Sequence, residues 1–245
     1  MDYLNAINAR VSRRSFLKEP VEDEILEELQ SLAARCNEKG GLHISLEYDD
    51  EGAFNIAGSK GMLSGAKMYF LLAGPESDEN LQEKLGYFGE ILVLRAVSLG
   101  LGTCWIHGTF DREKVVPKIQ DGDAMHCCVV FGNVRQQMTA KELMVSRSIK
   151  RNTKRVKDML FSEEQPPNWV IAGVRAAVRA PSARNRQGVK FLCSSDVVSA
   201  KVGNKYETDL YDLGIAKLHF EVGAGLGEGK WNFGNGAVYE RRPEK

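Results

Sequence analysis

Two short segments contain the side chains best suited to bind a ligand, and they lie near opposite ends of the chain. Residues 10–16 provide three arginines, Arg10, Arg13 and Arg14, and a hydroxyl group at Ser12. This combination suits a phosphate, because the planar guanidinium group donates two parallel hydrogen bonds to phosphate oxygens. Residues 180–187 provide small, hydroxyl and amide groups, which suit the carbonyl and ring-nitrogen edge of a planar heteroaromatic molecule. Together the segments predict a phosphorylated aromatic cofactor held by two parts of the chain.

Each segment on its own also has a simpler interpretation. The arginines of residues 10–16 are equally consistent with an exposed basic face. The proline, serine and alanine of residues 181–183 are equally consistent with an ordinary turn. The presence of both segments in one chain favours the binding hypothesis.

The composition excludes several classes of protein. The chain has 245 residues, 43% of them hydrophobic, and its 33 basic and 33 acidic residues give a net charge of zero. Nucleic acid and anionic membranes are therefore not expected as partners, and the longest apolar stretches, such as residues 68–73, are too short to span a bilayer. Five cysteines without a C-x-x-C pair, and no signal-peptide pattern, predict a cytoplasmic protein with free thiols.

Known catalytic motifs of other classes are absent from the sequence. The four histidines (His43, His107, His126 and His219) are scattered and form no H-E-x-x-H or Cys/His cluster, so no metal is predicted. The sequence also has no nucleophile elbow and no phosphate-binding P-loop. A role confined to binding, without catalysis, remains open at this point.

Hydrophobic periodicity predicts a mixture of helices and strands, and hence an α+β fold. Helical spacing covers residues 25–36, 86–99, 156–161, 168–180 and 206–224. Strand patterns cover residues 43–48, 68–73, 127–131, 189–193 and 237–240. The helix at 86–99 is apolar on nearly all sides, which predicts that it is buried.

A faint internal repeat suggests how the chain is organised. Gly89 and Gly100 are eleven positions apart, as are Gly214 and Gly225, and residues 32–37 resemble residues 178–185. We therefore predict a first half at residues 1–161, a linker at 162–167 and a shorter second half at 168–245. Chance similarity between two glycine-bounded helices is the alternative.

The order of the motifs resembles that of the nitroreductase family of flavoenzymes, in particular its single-chain branch with two fused half-domains. The resemblance covers nearly the whole chain and depends on three sequence segments: Arg10-x-Ser12-x-Arg14, Gly86-Tyr87-x-Gly89-Glu90 with the following residues 100–105, and Pro181-Ser182-Ala183-x-Asn185-x-Gln187. It implies a nitroreductase-like α+β fold with a central, mainly antiparallel sheet between helices. It also implies noncovalently bound FMN, reduced by NADH or NADPH and reoxidised in a ping-pong reaction by a small electron-poor acceptor such as a nitroaromatic or a quinone.

The resemblance also assigns roles to individual residues in the first half. Arg10, Ser12 and Arg14 match the segment that binds the phosphate and reaches the pyrimidine edge of the flavin. His107 and Gly108 match the segment that passes the flavin N5, where a backbone N–H usually donates. His107 as a proton donor is the alternative to that backbone role.

The resemblance also assigns roles to a basic run at residues 150–157 and to the second half. Lys154 and Arg155 match a second phosphate-contacting segment, and Lys60 is a further candidate in the first half. The residues of the loop that covers the isoalloxazine are matched by Pro181, Ser182, Ala183, Asn185 and Gln187. Val11 departs from the family pattern, which often has a basic residue there.

Three other functions remain compatible with the same residues. One is another flavin reaction on the same scaffold, such as reductive dehalogenation or flavin fragmentation. Another is a flavin-binding protein without efficient turnover, and the third is an α+β binding domain without flavin. Because the fused halves would replace a dimer interface, we expect a monomer, with a homodimer as the alternative.

Overall fold

The computed structural model describes residues 3–55, 57–59, 61–148 and 154–242. These residues form two compact units, each built from more than one stretch of chain. The N-terminal unit consists of residues 9–81 and 91–148. The described residues of the C-terminal unit fall within 1–8, 82–90 and 149–245.

The helices and strands alternate irregularly along the chain. The α-helices are α1 (Tyr3–Ala9), α2 (Asp23–Gly40), α3 (Leu81–Ser98), α4 (Ala140–Ser148), α5 (Val156–Met159), α6 (Asn168–Ala177) and α7 (Asp209–Gly225). The strands are β1 (Ser45–Tyr48), β2 (Met68–Pro75), β3 (Gly102–His107), β4 (Asp123–Gly132), β5 (Leu160–Ser162), β6 (Lys190–Ser194), β7 (Val197–Lys201), β8 (Gly229–Trp231) and β9 (Val238–Arg241). Short 3-10 turns lie at Arg112–Lys114, Val116–Lys118 and Ala183–Asn185.

The sheet of the N-terminal unit has the strand order β1-β2-β4-β3, and all its pairs are antiparallel. Strand β2 is buried along almost its whole length, as its uninterrupted apolar sequence predicts for a strand with neighbours on both sides. Phe70 of β2 stacks on Phe131 of β4 with ring centroids 4.6 Å apart. This sheet supports the segment at residues 10–16.

The sheet of the C-terminal unit has the order β5-β6-β7-β9-β8, with one parallel pair, β5 with β6, and otherwise antiparallel pairs. Its buried side is dominated by aromatic residues. Phe220 of α7 packs against Phe191, Trp231 and Tyr239, with ring centroids 5.1 to 5.4 Å apart.

The predicted helix at residues 156–161 is only partly correct. Helix α5 ends at Met159, and Leu160–Ser162 form β5, whose residue Leu160 is paired with Phe191 of β6. Residues 160–162 form a strand because they pair in parallel with the distant strand β6. The local pattern of six residues gives no information about that partner. Ser162, at the start of the predicted linker, therefore belongs to a strand.

Helix α7 is buried along almost its entire length and packs on two other helices of its unit. On α6, a Cβ at Gly173 would lie 2.7 Å from the ring of Phe220. On α3, a Cβ at Gly214 would lie 1.9 Å from the carbonyl oxygen of Glu83 and one at Gly86 would lie 2.3 Å from that of Tyr211. The backbones of α3 and α7 therefore touch where both helices have glycine.

Buried polar pairs join the same two helices. Lys217 of α7 is fully buried, and its Nζ donates to Glu83 and to the carbonyl oxygens of Asn232 and Gly234. Burial lowers the pKa of Lys217, and the neighbouring Glu83 carboxylate opposes that effect. His219 lies 2.9 Å from Glu90 between fully buried side chains. These pairs favour one register of α7 against α3, because any other register would leave a charge buried without its partner.

The structure confirms the α+β class and the mainly antiparallel pairing predicted from the sequence. The strands form two sheets, one in each unit. The buried helix predicted at 86–99 is present and begins five residues earlier, at Leu81. Strands β3, β7 and β8 were not predicted.

In the part of the chain that the structure describes, no helix is both long and apolar enough to cross a membrane. The internal duplication stays a prediction.

Candidate functional site

The segment at residues 10–16 is extended and lies beside the start of β3. The backbone N–H of Arg13 donates to the carbonyl oxygen of Thr103 at 2.9 Å, and Ser12 bridges to Thr103 in parallel. In extended backbone successive side chains point to opposite sides. This alternation separates Arg10, Ser12 and Arg14 from the buried side chain of Arg13.

The three predicted phosphate-binding residues gather around one thiol, that of Cys104 in β3. Burial raises the pKa of Cys104, the positive charges of Arg14 and then Arg10 oppose this rise, and the Ser12 hydroxyl hydrogen-bonds to the sulfur. The side chains of residues 10, 12 and 14 are therefore close together within the N-terminal unit. Two guanidinium groups and a hydroxyl in one place can bind an anion.

Arg13, on the other side of the segment, is held by a buried carboxylate. Its Nε donates to Oε1 of Glu142 at 3.1 Å, and Nη1 donates to the carbonyl oxygen of Arg135 at 2.8 Å. Arg13 is 6% exposed and Glu142 of α4 is fully buried, so solvent does not weaken the pair. Arg13 therefore has a structural role, because its guanidinium group is bound inside the N-terminal unit.

Glu142 also binds the backbone of the segment directly. Its Oε1 accepts the N–H groups of Arg14 at 2.7 Å and Ser15 at 3.2 Å. Its Oε2 accepts the N–H of Thr139 at 2.8 Å and the Thr139 hydroxyl at 3.0 Å. Burial alone would raise the pKa of Glu142, but the hydrogen bonds from Arg13 and from these backbone groups outweigh it and lower the pKa to about 2. Glu142 is therefore a permanent anion at neutral pH.

The far end of β3 carries the two residues predicted to lie beside the flavin ring. His107 is half-buried and Gly108 is exposed. Gly108 has a φ of 72°, and a Cβ built on it would meet no atom within 4 Å. A ligand can thus approach this backbone closely, and a side chain would be strained there.

The loop at residues 181–187, in the C-terminal unit, has an unusual backbone. Arg184, Asn185 and Gln187 all have left-handed φ values, of 54°, 53° and 47°, although none of them is glycine. Such conformations cost energy and persist only where the surroundings impose them. Two interactions do so here: Ser182 Oγ accepts the N–H of Gln187 at 2.9 Å, and Asp212 accepts the N–H of Ala183 at 3.0 and 3.2 Å through its two oxygens.

Gln187 and Lys154 are brought together, and they bond to each other. The backbone N–H of Lys154 donates to Gln187 Oε1 at 2.8 Å, and its Nζ donates to the carbonyl oxygen of Gln187 at 2.6 Å. Gln187 Nε2 donates to the carbonyl oxygen of Val178 at 2.6 Å. The side-chain amide of Gln187 therefore makes hydrogen bonds through both its oxygen and its nitrogen inside its own unit. Its predicted bond to a flavin stays a prediction.

The remaining predicted residues are placed differently. The side-chain amide of Asn185 makes no hydrogen bond with any residue that the structure describes, so it can bind a ligand. Pro181 is half-buried. Arg155 is exposed and binds Asp158 at 3.3 Å. Lys60 lies outside the described residues, as do residues 150–153 of the basic run.

Asp212, which anchors the loop, is an acid with an unusual pKa. Burial raises its pKa to about 7, while the Ala183 N–H and Arg186 oppose the rise and Asp209 reinforces it. Arg186 is held in turn by the Thr208 hydroxyl at 2.5 Å and lies 4.1 Å from the ring of Tyr206. The loop thus depends on a group that titrates near neutral pH.

Two cavities of the N-terminal unit are lined by other residues. One, of about 410 Å³, is lined by Asp49, Asn55 and Lys67 among others, and a smaller one, of about 100 Å³, lies beside Phe16 and Tyr48. Neither is lined by a residue predicted to bind the cofactor. Among the described residues there is also no group of three or more His, Cys, Asp or Glu that could hold a metal ion.

Sequence reasoning assigned no individual role to three residues that shape the candidate site: Arg13, Glu142 and Asp212. A signal for Glu142 was present, because Thr139-x-x-Glu142 is the pattern of a capping box, in which the two residues exchange hydrogen bonds. Asp212 gives no comparable signal, since an acid in the first turn of a helix is ordinary.

Comparison with known proteins identifies the family. The family described as "Putative TM nitroreductase" matches residues 2–224, which is nearly the whole chain. The chain belongs to this nitroreductase family. No curated protein matches it.

Solved structures of nitroreductases are similar to this chain at low sequence identity, and the first of the following three shares its fold. A putative nitroreductase from Thermotoga maritima has a TM-score of 0.64 and 19% identity, over 98% of this chain and 92% of that one. A nitroreductase family protein from Clostridium difficile 630 has a TM-score of 0.49 and 17% identity, over 67% and 99% of the two chains. A nitroreductase with bound FMN from Desulfitobacterium hafniense has a TM-score of 0.45 and 18% identity, over 56% and 91%.

Proposed function

We propose that this nitroreductase family member binds FMN and transfers hydride from NADH or NADPH, through the flavin, to a small electron-poor acceptor such as a nitroaromatic or a quinone. The observation that carries the proposal is the gathering of Arg10, Ser12 and Arg14 around Cys104, in a chain of this family. Membership of the family suggests a flavin-dependent redox reaction. The guanidinium groups of Arg10 and Arg14 suggest a site for the phosphate group, which FMN has and riboflavin lacks.

The N-terminal unit fits the phosphate end of FMN. Arg10 and Arg14 provide the positive charge and the bidentate donors that a phosphate dianion requires, and Ser12 adds a hydroxyl. The open space over Gly108 fits the close approach of a flat ring to the backbone at the end of β3. We propose this backbone, and not the His107 side chain, as the donor to the ring.

The C-terminal unit fits a polar ring edge. The Asn185 amide offers one acceptor and two donors, which match an alternation of carbonyl and N–H groups. The strained backbone of residues 184–187 presents this side chain from a loop that Asp212 and Ser182 hold in place. Lys154, bonded to Gln187, adds a positive charge to the same region.

FMN, when bound, supplies the centre that accepts and donates hydride, so the residues of the chain have only binding and electrostatic tasks. We propose that the two fused halves of residues 1–161 and 168–245 act as one monomer in the cytoplasm.

The experiment is an absorbance titration of the purified protein with FMN, followed by anaerobic addition of NADH or NADPH. We expect FMN to bind, and the oxidised flavin absorbance to disappear on addition of one of the nucleotides. Addition of a quinone or a nitroaromatic should then restore it. Bound FMN that stays oxidised would exclude the oxidoreductase and leave a flavin-binding protein, and absence of FMN binding would refute the proposal.

A pair of arginine variants tests the assignment of residues. Arg14→Gln should weaken FMN binding by about tenfold or more, because a charge-assisted phosphate contact is lost. Arg175→Gln is the matched control, since Arg175 is exposed on α6 and no role is assigned to it. Equal affinities of the two variants would show that the phosphate is bound elsewhere.

A further inference from the structure

Arg10, Ser12 and Arg14 lie on an extended segment that belongs to no strand of the sheet, so other contacts must hold its backbone in place. The segment has one bridge to β3, through Ser12 and Thr103, and a second, from Ser15 to Ser64. Two isolated bridges are weak restraints on a stretch of five residues. The hydrogen bond from Arg13 to the carbonyl oxygen of Arg135 adds one restraint, and the carboxylate of Glu142 adds several more.

Glu142 contacts the segment at three consecutive residues. It binds the Arg13 guanidinium, the Arg14 N–H and the Ser15 N–H. Arg14 is thus held at its backbone by Glu142, while its side chain lies on the side of Cys104. A change at Glu142 therefore moves Arg14 without removing any group that touches a ligand.

The carboxylate is itself fixed in position. Thr139 donates both its N–H and its hydroxyl to Oε2, and the N–H of Glu142 donates to Thr139 Oγ1 at 3.3 Å, which ties the side chain to the first turn of α4. Glu142 is fully buried, so it has no water to replace a lost partner.

We propose that Glu142 is a positioning residue that, through Arg13 and the backbone of Arg14 and Ser15, fixes the conformation in which Arg10, Ser12 and Arg14 bind a phosphate. It thereby sets the preference of the protein for a flavin that carries a phosphate over one that lacks it. The inference rests on the proposed function, and it adds a residue that does not touch the cofactor.

The test compares the affinities of the protein for FMN and for riboflavin, which has the same ring and no phosphate. Flavin fluorescence gives the dissociation constant of each complex for the wild-type protein, for Glu142→Gln and for Glu221→Gln. Glu221 is the matched control, because it is a buried carboxylate of the C-terminal unit that accepts the Tyr87 hydroxyl at 2.7 Å.

We expect the wild-type protein to prefer FMN. In Glu142→Gln the affinity for FMN should fall by about tenfold to a hundredfold, as for the loss of a charged anchor, while the affinity for riboflavin changes little. Glu221→Gln should leave the ratio of the two affinities unchanged. A merely structural role of Glu142 would lower both affinities by the same factor, and that result would overturn the proposal.

Two further outcomes separate this inference from the proposed function. Wild-type protein that binds both flavins equally would overturn the phosphate preference while leaving a flavin protein. Wild-type protein that binds neither would refute both. If Glu142→Gln does not fold, Arg13→Lys is the second variant: it keeps the positive charge but loses the forked donor, and the same fall in FMN preference is expected.

Discussion

Two buried carboxylates hold the two candidate binding segments, and both do so by accepting backbone N–H groups. Glu142 holds residues 13–15 in the N-terminal unit, and Asp212 holds Ala183 in the C-terminal unit. Their pKa values nevertheless move in opposite directions, to about 2 for Glu142 and to about 7 for Asp212. Burial raises both values, so the difference must come from the partners.

The number of donors accounts for that difference. Glu142 accepts from a buried guanidinium, three backbone N–H groups and a hydroxyl, which together outweigh its desolvation. Asp212 accepts from the single N–H of Ala183, and the charges of Arg186 and Asp209 act on it in opposite senses. A buried carboxylate therefore makes a pH-independent anchor only when its donors are numerous. The first segment should be insensitive to pH near neutrality, and the loop should not.

Removal of each anchor should have unequal consequences, and this is the largest effect we expect. Glu142→Ala leaves the Arg13 guanidinium buried without its partner, which costs about 3–5 kcal/mol of unfolding free energy. Asp212→Ala at pH 8 also removes an unfavourable buried charge, so its cost should stay below about 2 kcal/mol. Urea unfolding at pH 8 measures both, and equal losses would contradict the comparison.

The sequence predicted the elements that local patterns determine. The amphipathic helix α2, the apolar strand β2 and the buried helix α3 all follow from the spacing of their apolar residues. Strand β5 was missed because its pairing partner, β6, lies about thirty residues further along the chain. A pattern within six residues cannot report a partner at that distance.

In the candidate site, too, the sequence predicted the residues that form a local motif and missed the partner that lies far along the chain. Arg10, Ser12 and Arg14 were predicted as a group, and the structure brings them together around Cys104. The residue between them, Arg13, faces the other way and binds Glu142, which lies 129 positions along the chain. The sequence contains the Thr139-x-x-Glu142 capping pattern, but nothing local to it indicates that the same carboxylate would also bind the segment.

Asp212 lies on α7, so its hold on the loop should depend on how α7 packs. A substitution that adds one methyl group to α7 tests this dependence. In Gly214→Ala the new Cβ would lie 1.9 Å from the carbonyl oxygen of Glu83, so α3 and α7 must separate. We expect a loss of about 3 kcal/mol of unfolding free energy. Hydrogen exchange of the Ala183 amide should accelerate, while exchange of the Arg14 amide stays unchanged.

A second glycine provides the control for that experiment. A Cβ at Gly203 would lie 3.7 Å from its nearest neighbour, an ordinary contact. Gly203→Ala should therefore change the unfolding free energy by less than about 0.5 kcal/mol. A loss in Gly203→Ala as large as that in Gly214→Ala would show that the close approach of the helices is not the cause.

The pH dependence of stability tests the state of Asp212. Because its pKa is raised on folding from 3.8 to about 7, the folded protein binds more protons than the unfolded chain, and stability should fall as pH rises between these values. From pH 5 to pH 7 this group contributes a loss of about 2 kcal/mol. Asp212→Asn, which can still accept from Ala183, should lose that slope, as followed by urea unfolding across this range.

The stability of the protein at acidic pH tests the ionisation state of Glu142 in the same way. The pKa of Glu142 is lowered on folding, so its contribution should remain constant from pH 5 to pH 7 and decline only as pH falls from about 4.5 towards 2. A slope in the neutral range that persists in Asp212→Asn would show that another group is responsible.

Apart from the Gly203→Ala control, the smallest expected effect concerns the hydroxyl that supports Glu142. Thr139→Val keeps the shape of the side chain but removes the hydroxyl donor to Oε2 and the acceptor of the Glu142 N–H. We expect a loss of about 1 kcal/mol, typical of a helix cap. The three backbone N–H groups and Arg13 remain, so the carboxylate should stay ionised and the affinity for FMN should change less than in Glu142→Gln. A loss of FMN affinity as large as in that variant would mean that the hydroxyl, and not the charge, holds the segment.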